Sequence, residues 1–200
     1  MGRTSDAKER LLEAVIELIW TGSYGSTSVD QICERAGVKK GSFYHFFESK
    51  TELAVAGLDH SWAEHRKKLD QVFSPVVPPL DRIWKCFADF REEQQEIQQK
   101  HGRVLGCPIH SLGAEVSTVD ERLRNKLQDI LAQFIRYYES AIRDAHFQAI
   151  IEAPDAPALA RILFAYGEGL LLHARIWNDL SYLDEIEAGA RRILGVKSVA

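Results

Sequence analysis

Cysteine and long apolar runs are both scarce in this sequence. Its three cysteines, Cys33, Cys86 and Cys107, are an odd number and show neither the density of a disulfide framework nor the CxxC spacing of a zinc site. No apolar run approaches the roughly 18 residues of a membrane-spanning helix, and the first residues, MGRTSDAKER, lack the apolar block of a signal peptide. We therefore expect free thiols in a cytoplasmic protein that has no membrane partner.

Catalytic motifs, metal-ligand spacings and a large excess of charge are also missing from the sequence. It contains no GxSxG, Walker or GxGxxG pattern. His101 and His110 lie on either side of a break at glycine and proline, and no carboxylate shares a ligand spacing with them. The net charge of −4 argues against a protein that coats nucleic acid non-specifically, although a local cluster still acts over about 10 Å. We expect no enzyme activity, no cofactor and no metal site.

Helical periodicity dominates the sequence, and no strand pattern is found. Apolar residues recur at steps of three and four over residues 7–20, which predicts an amphipathic helix. Ser28 with Gln31 fits a capping box at the start of a second helix, and Ser49 with Glu52 fits another at the start of a fourth. Further helices are predicted from about residue 39, over 80–100, over 109–116, from a cap at Thr118 with Glu121, from a cap at Asp155, and over 182–194. The sequence therefore predicts an all-α protein.

The segment SVDQICERAGVKKGSFYHFFESK, residues 28–50, has the organisation of a DNA-binding motif. In helical projection one side of its second helix is apolar and carries Phe43, Phe46 and Phe47. The opposite side and its margins are small or polar and carry Lys40, Gly41, Ser42, Tyr44 and His45. A capped helix, a glycine-containing turn and such a second helix match a helix-turn-helix, whose second helix enters the major groove. We predict that the polar side contacts double-stranded DNA.

A family resemblance rests on the same residues. Residues 10–54, and especially TSVDQICERAGVKKGSFYHFFESKTEL, resemble the DNA-binding domain of TetR-family transcriptional regulators. The resemblance implies a three-helix DNA-binding domain over residues 1–50 and a larger helical domain over residues 51–200 that binds effectors and dimerises through its last two long helices. It also implies phosphate contacts at Ser28 and Lys50 and a recognition surface formed by Lys40, Gly41, Ser42, Tyr44 and His45. Lys39 is either another phosphate contact or a solvated side chain.

A second segment, HGRVLGCPIHSLGAEVS at residues 101–117, surrounds Cys107. The cysteine lies between glycine and proline where a helix breaks, and positive neighbours such as Arg103 favour a reactive thiolate. The segment resembles a TetR-family branch whose members respond to reactive electrophiles or small unsaturated acids, some through a cysteine near this point. Two interpretations stay open, a sensor thiol and a small buried apolar side chain. Cys33 and Cys86 are predicted to be core residues.

The second half of the chain contains candidate pocket and interface residues. Aromatic side chains that are able to line an effector pocket are Trp84, Phe87, Phe134, Tyr138 and Tyr166. Glycine is a poor helix former, so Gly167 and Gly169 in the apolar segment LARILFAYGEGLLLHARIW indicate close helix packing. We predict a two-fold dimer with contacts at Leu163, Gly167, Leu170, Trp177 and Ile186. The alternative for both sets is that they form ordinary monomer core.

These patterns together predict a homodimeric, ligand-responsive DNA-binding regulator. The expected mode is a repressor that leaves a palindromic operator when a small effector binds, or when an electrophile or oxidant modifies Cys107. One alternative is an activator or a regulator with a non-covalent apolar effector. Another is a helical small-molecule-binding protein or enzyme that does not bind DNA.

Overall fold

The computed structural model describes residues 3–196, and these residues form helices and no strand. The helices are α1 (Arg3–Thr21), α2 (Val29–Ala36), α3 (Lys40–Phe46), α4 (Lys50–Val72), α5 (Pro79–His101), α6 (Pro108–Val116), α7 (Glu121–Phe147), α8 (Ala156–Trp177), α9 (Ser181–Asp184) and α10 (Ile186–Ile193). The predicted all-α fold is confirmed. In this part of the chain, no helix combines the length and apolar character needed to cross a lipid bilayer.

The chain divides into two compact units. The first unit contains the residues up to Arg66 together with Pro108–Ile130, and the second contains Lys67–Cys107 together with the residues from Leu131 onward. Two of the three boundaries fall within α4 and α7, because each of these long helices contributes residues to both units. The third lies between Cys107 and Pro108, where α6 begins. The predicted functional division into residues 1–50 and 51–200 stays a prediction.

Local signals define the turn between α2 and α3. The Ser28 hydroxyl accepts a hydrogen bond from the Gln31 amide at 3.2 Å, and the Gln31 side-chain oxygen accepts one from the Ser28 amide at 2.8 Å. This is a reciprocal capping box, which satisfies amides that would otherwise lack partners at the helix start. Gly37 ends α2 with a φ of 63°, a left-handed conformation that glycine adopts without a Cβ clash. The two signals together set the direction in which α3 leaves the turn.

An apolar core in the first unit holds α3 in place. Its largest fully buried side chains are Leu11, Ile32, Phe43, Leu53, Leu58, Leu112, Leu123 and Ile130. Gly57 allows α4 to approach α1 closely, since a Cβ at this position would lie 2.8 Å from Cγ1 of Val15. Phe43 is the residue through which α3 is anchored in this core.

Two predicted helix boundaries are wrong. The cap of α7 is Asp120 rather than Thr118, because the Asp120 carboxylate accepts the Leu123 amide at 3.0 Å and the helix begins one residue later. The helix predicted over residues 182–194 is divided into α9 and α10. The Glu185 amide donates to the Leu183 carbonyl, so it does not continue the α-helical pattern of bonds to the carbonyl four residues back.

A buried arginine, Arg82, fixes the loop between α4 and α5 in the second unit. Arg82 is only 2% exposed, and its guanidinium donates to the Asp144 carboxylate at 2.6 Å, the Val77 carbonyl at 2.8 Å and the Pro75 carbonyl at 3.2 Å. These bonds satisfy the buried charge and tie down the proline-containing loop between α4 and α5. The core beside it contains Ile83, Tyr138, Ile142 and Leu163, each almost fully buried.

Candidate functional site

The exposed side of α3 carries the residues that were predicted to contact DNA. Lys39, Lys40, Gly41, Tyr44 and His45 are exposed and Ser42 is half-buried, whereas Phe43 and Phe47 are buried. The rings of Tyr44 and Phe43 are in T-shaped contact, with centroids 5.0 Å apart, while 57% of the Tyr44 surface stays accessible. An aromatic side chain with a free hydroxyl is thus held on the outside of α3 by a fully buried neighbour.

The three lysines of this region have different environments. The Lys40 ammonium lies 2.8 Å from Oδ1 of Asp30, and the hydrogen bond to this carboxylate raises the pKa of Lys40. Both side chains of the pair are more than half exposed, so the pair is weak and open to exchange with a phosphate. Lys39 precedes α3 as its N-cap residue without a side-chain capping bond.

Lys50 is engaged within the first unit. Its ammonium donates to the carbonyls of Tyr24 and Thr27, at 2.8 Å in each case, and lies 4.1 Å from the centroid of the Tyr24 ring. Burial lowers the pKa of Lys50. These contacts attach the start of α4 to the loop between α1 and α2. The phosphate contacts of Lys50 and of Ser28, whose hydroxyl caps α2, stay predictions.

The same loop between α1 and α2 is held by a carboxylate that no sequence pattern indicates. Glu115 on α6 accepts the amide of Tyr24 at 2.9 Å and the amide of Gly25 at 2.6 Å. Beside it, the Tyr24 hydroxyl bonds the Thr51 hydroxyl at 2.9 Å, and that hydroxyl donates to the Asp120 carboxylate at 3.1 Å. The loop that precedes the helix-turn-helix is therefore bonded to the end of α6 and to the cap of α7.

The second unit contains a small apolar cleft. It is lined by Phe87, Phe90, Tyr138, Phe164, Gly167, Glu168, Leu171, Leu183 and Ile186. The space is about 320 Å³ when the open mouth is included, and its enclosed part has room for about one water molecule. An effector larger than water must therefore displace part of the wall.

Two of the five aromatic residues predicted for a pocket line this cleft, namely Phe87 and Tyr138. Phe134 lies behind it, with its ring centroid 5.5 Å from that of Phe164. Trp84 packs under the Arg191 guanidinium at 4.5 Å. Tyr166 donates to the Glu185 carbonyl at 3.1 Å. Their roles in effector binding stay predictions.

Tyr138, which lines the cleft, forms a buried polar pair with Cys86. The Tyr138 hydroxyl and the Cys86 sulfur are 3.4 Å apart. Burial raises the pKa of Cys86 to about 12 and raises that of Tyr138 well above its ordinary value. Both groups are therefore neutral at physiological pH, and the Cys86 thiol is not a reactive thiolate.

Cys107 lies at the end of a loop that is fixed by three side chains of the second unit. The buried Gln94 accepts the Gly106 amide at 2.8 Å, and Arg175 donates to the Leu105 carbonyl at 2.9 Å. Asn178 accepts the Val104 amide at 2.8 Å. Cys107 is half-buried and packs on a small apolar cluster that consists of Val104, Leu171, Ala174 and Leu183. Since Leu171 and Leu183 also line the cleft, the thiol lies next to a wall of the cleft.

The residues predicted for a dimer contact lie in different environments. Leu163 and Ile186 are buried inside the second unit, and a Cβ on Gly167 would lie 3.3 Å from the Phe87 ring. These three therefore pack within their own chain, whereas Trp177 is 67% exposed and Leu170 is half-buried. A different side of α8 is apolar and exposed, and it consists of Ile162, Ala165, Leu172 and Ile176, with Gly169 open beside them. This set at steps of three and four is called the α8 stripe below.

Models of known families match both halves of the chain. A model described as bacterial regulatory proteins, tetR family, matches residues 11–56. A second model, described as tetracyclin repressor-like, C-terminal domain, matches residues 79–190. The second match alone spans more than half of the chain, and the first contains α2, α3 and the turn between them.

Individual proteins are similar over most of the chain. The transcriptional regulator AcuR of Cereibacter sphaeroides is 30% identical over 172 residues, which are 85% of this chain and 77% of AcuR. The HTH-type transcriptional repressor NemR of Escherichia coli is 26% identical over 97% of this chain and 96% of NemR. The crystal structure of the reduced form of E. coli NemR covers 97% of this chain and 100% of that chain with a TM-score of 0.83.

Proposed function

Since this chain belongs to the tetR family of bacterial regulatory proteins and is a ligand-responsive DNA-binding regulator, we propose that it is a homodimeric repressor released by a small effector in the cleft or by modification of Cys107. Members of this family bind DNA operators and usually act as dimers that respond to small molecules. The observation that carries the proposal is the exposed side of α3, with Tyr44 at its centre. No catalysis is needed for this function, and the protein is expected to bind its operator in the cytoplasm.

The charge balance supports a dimeric mode of DNA binding. Asp30 offsets Lys40 on the DNA-facing side, and Lys50 is partly occupied by carbonyls, so one domain offers few free charges. Affinity then depends on two recognition helices that enter successive major grooves about 34 Å apart. We expect the operator to be palindromic and its binding to weaken steeply with salt.

The α8 stripe supports the dimer. Ile162, Leu172 and Ile176 are each more than half exposed, and apolar residues at steps of three and four form a seam that fits a second helix. Ala165 and Gly169 in the middle of the stripe allow close approach of that helix. A second copy of the chain presents the same stripe, as a two-fold interface requires.

We infer that the loop between α1 and α2 receives the effector signal. The α6 helix begins at Pro108, directly after Cys107, and ends near Glu115, whose carboxylate binds the Tyr24 and Gly25 amides. A shift of α6 by an adduct at Cys107 or by a ligand in the cleft would break or redirect these two bonds. The recognition helices would then leave the spacing of the major grooves, and a coupling of about 1–3 kcal/mol would lower operator affinity about 5–150-fold.

Glu115→Gln should weaken the response to effector. Glutamine has one acceptor oxygen, so one of the two amides of the α1–α2 loop loses its partner and the link to α6 becomes weaker. We expect the effector to change the operator Kd by less than about threefold in this variant, measured by fluorescence anisotropy with and without effector. Glu121→Gln, at an exposed residue of α7 that pairs with Arg124 three residues on, should keep the full response. An unchanged response in Glu115→Gln would exclude this link.

The proposed function is tested by a gel shift on DNA upstream of the protein's own gene. The wild type should bind at low salt, and an apolar thiol-reactive electrophile should release it. Cys107→Ser should bind equally well and resist the electrophile. Release of both proteins by the electrophile would show that another thiol is modified. Resistance of both would favour a reversible effector that binds in the cleft. Absence of any DNA binding at low salt would reject the regulator in favour of a small-molecule-binding protein or enzyme.

A further inference from the structure

The carbonyl groups at the end of α2 have two kinds of partner. A helix leaves its last four carbonyls without a bond inside the helix, so these groups need other donors. The Val38 amide donates to the Cys33 carbonyl at 2.9 Å, and the Gly37 amide donates to the Glu34 carbonyl at 3.1 Å. The Ala36 carbonyl instead accepts a hydrogen bond from a side chain of α1.

That side chain is Arg10, which binds the turn of the helix-turn-helix. Its Nη1 atom donates to the Ala36 carbonyl at 2.9 Å and, more weakly, to the Gly37 carbonyl at 3.5 Å. A Cβ on Gly37 would lie 3.3 Å from the same nitrogen, so glycine leaves room for the guanidinium besides adopting the left-handed conformation. A positive charge at the C-terminal end of α2 also interacts favourably with the helix dipole. Arg10 thus completes the cap that the amides of the turn begin.

The contact joins the turn to a fixed support. Leu11, the next residue of α1, is fully buried in the core of the first unit. The turn that Arg10 binds leads directly into α3, which begins at Lys40, so a shift of the turn would change the direction of α3. Readout of base edges requires side chains held within about 0.5 Å, whereas attraction to the phosphates is independent of sequence and tolerates a looser geometry.

We propose that Arg10 is a positioning residue for operator recognition, which holds the turn between α2 and α3 and so sets the angle at which α3 enters the major groove. Arg10 acts through the turn and does not contact DNA itself. This inference rests on the proposed function, to which it adds a residue outside the helix-turn-helix that determines sequence preference. Loss of Arg10 should therefore reduce the preference for the operator over unrelated DNA, and not DNA binding in general.

Arg10→Gln removes the guanidinium and its charge. The Kd values of the full-length protein for DNA upstream of its own gene and for a random duplex of equal length are measured by fluorescence anisotropy. We expect the ratio of the two affinities to fall about tenfold, while the affinity for the random duplex stays within about twofold of the wild type. The slope of log affinity against log salt should stay unchanged, since a lost phosphate contact in each subunit would reduce it by about two.

Arg35→Gln is the matched control, because Arg35 also joins α1 to α2 and carries the same charge. Its guanidinium binds the Glu17 carboxylate at 2.5 Å rather than a carbonyl of the turn. This variant should keep the wild-type sequence preference. Arg10→Lys keeps the charge and a donor but not the planar guanidinium, so its preference should fall only about threefold.

Amide hydrogen exchange tests the turn without DNA. The amides of Gly37 and Val38 should exchange about tenfold faster in Arg10→Gln than in the wild type or in Arg35→Gln, because local opening of the turn becomes easier. If Arg10→Gln is unfolded, Arg10→Lys replaces it in both measurements, with an increase in exchange of about threefold.

Four results would overturn the proposal: wild-type sequence preference in the Arg10 variant, an equal loss of preference in Arg35→Gln, a shallower salt slope, and unchanged exchange of the two turn amides. A wild-type protein that does not prefer the upstream DNA would reject the proposed function itself. The exchange measurement uses no DNA and the preference of the wild type involves no variant, so the two failures are distinguishable.

Discussion

Replacement of Tyr44 by alanine is expected to lower the affinity for the operator about 10²- to 10⁴-fold. The Tyr44 side chain is 57% exposed on the outer side of α3, and its ring is oriented by an edge contact with the buried Phe43. A hydrogen bond from its hydroxyl to a phosphate contributes about 1.5–3 kcal/mol. A dimer has two recognition helices, so about 3–6 kcal/mol is lost, and each 1.4 kcal/mol is a factor of ten in affinity.

The measurement is a fluorescence anisotropy titration of a labelled operator at fixed salt. Tyr44→Phe keeps the ring and removes only the hydroxyl, so it separates the hydrogen bond from the packing of the ring. Phe147→Ala removes an aromatic side chain that is 91% exposed in the second unit, and it should bind DNA like the wild type. All three variants should unfold at nearly the wild-type temperature, because exposed side chains contribute little to stability. Wild-type affinity in Tyr44→Ala would contradict the assignment of α3 as the recognition helix.

The helix-turn-helix could be predicted because its signals are local. The capping box at Ser28 and Gln31 and the left-handed Gly37 lie within ten residues of each other, and each has a residue preference that can be read from the sequence. The predicted cap of α7 is wrong because two local signals compete. Thr118 and Asp120 are both good capping residues two positions apart, and only the bond to Leu123 distinguishes them.

Contacts between distant residues could not be predicted in this way. The two bonds of Glu115 join residues that are 91 and 90 positions apart, and no pattern in either segment indicates the other. Lys50 was interpreted from its position at a helix start, but its ammonium reaches back to carbonyls of the α1–α2 loop. The functional roles of both residues therefore depend on tertiary geometry.

The residues predicted for a dimer contact show the limit of periodicity. The α8 helix is apolar around most of its circumference. The spacing of its apolar residues therefore identifies two apolar sides, but it does not indicate which side is buried against the rest of the same chain. Leu163 belongs to the covered side, where it is fully buried, whereas Leu172 belongs to the exposed stripe. Gly167 and Gly169 differ in the same way, because only Gly167 is packed against its own chain.

Leu172→Glu should convert the dimer into a monomer and lower operator affinity about 10²–10⁴-fold. Leu172 lies in the middle of the α8 stripe and is 53% exposed in the single chain. In a two-fold dimer the two new carboxylates would face each other across a desolvated seam. Without the dimer, the two half-sites are no longer bound by linked recognition helices. The gain in affinity from that linkage, typically about 10²- to 10⁴-fold, is then lost. Sedimentation velocity gives the mass, and anisotropy gives the operator affinity of the same samples.

Charge exchange at the same position separates a dimer contact from a folding defect. Leu172→Lys alone should also be monomeric, whereas a mixture of the glutamate and lysine variants should form a heterodimer that binds the operator. Val76→Glu introduces the same charge at an exposed apolar residue of the loop between α4 and α5, and it should stay dimeric. A dimeric Leu172→Glu protein with normal operator binding would place the interface elsewhere. In that case the exposed stripe of α8 would need another partner, because an apolar seam of this length rarely stays open to water.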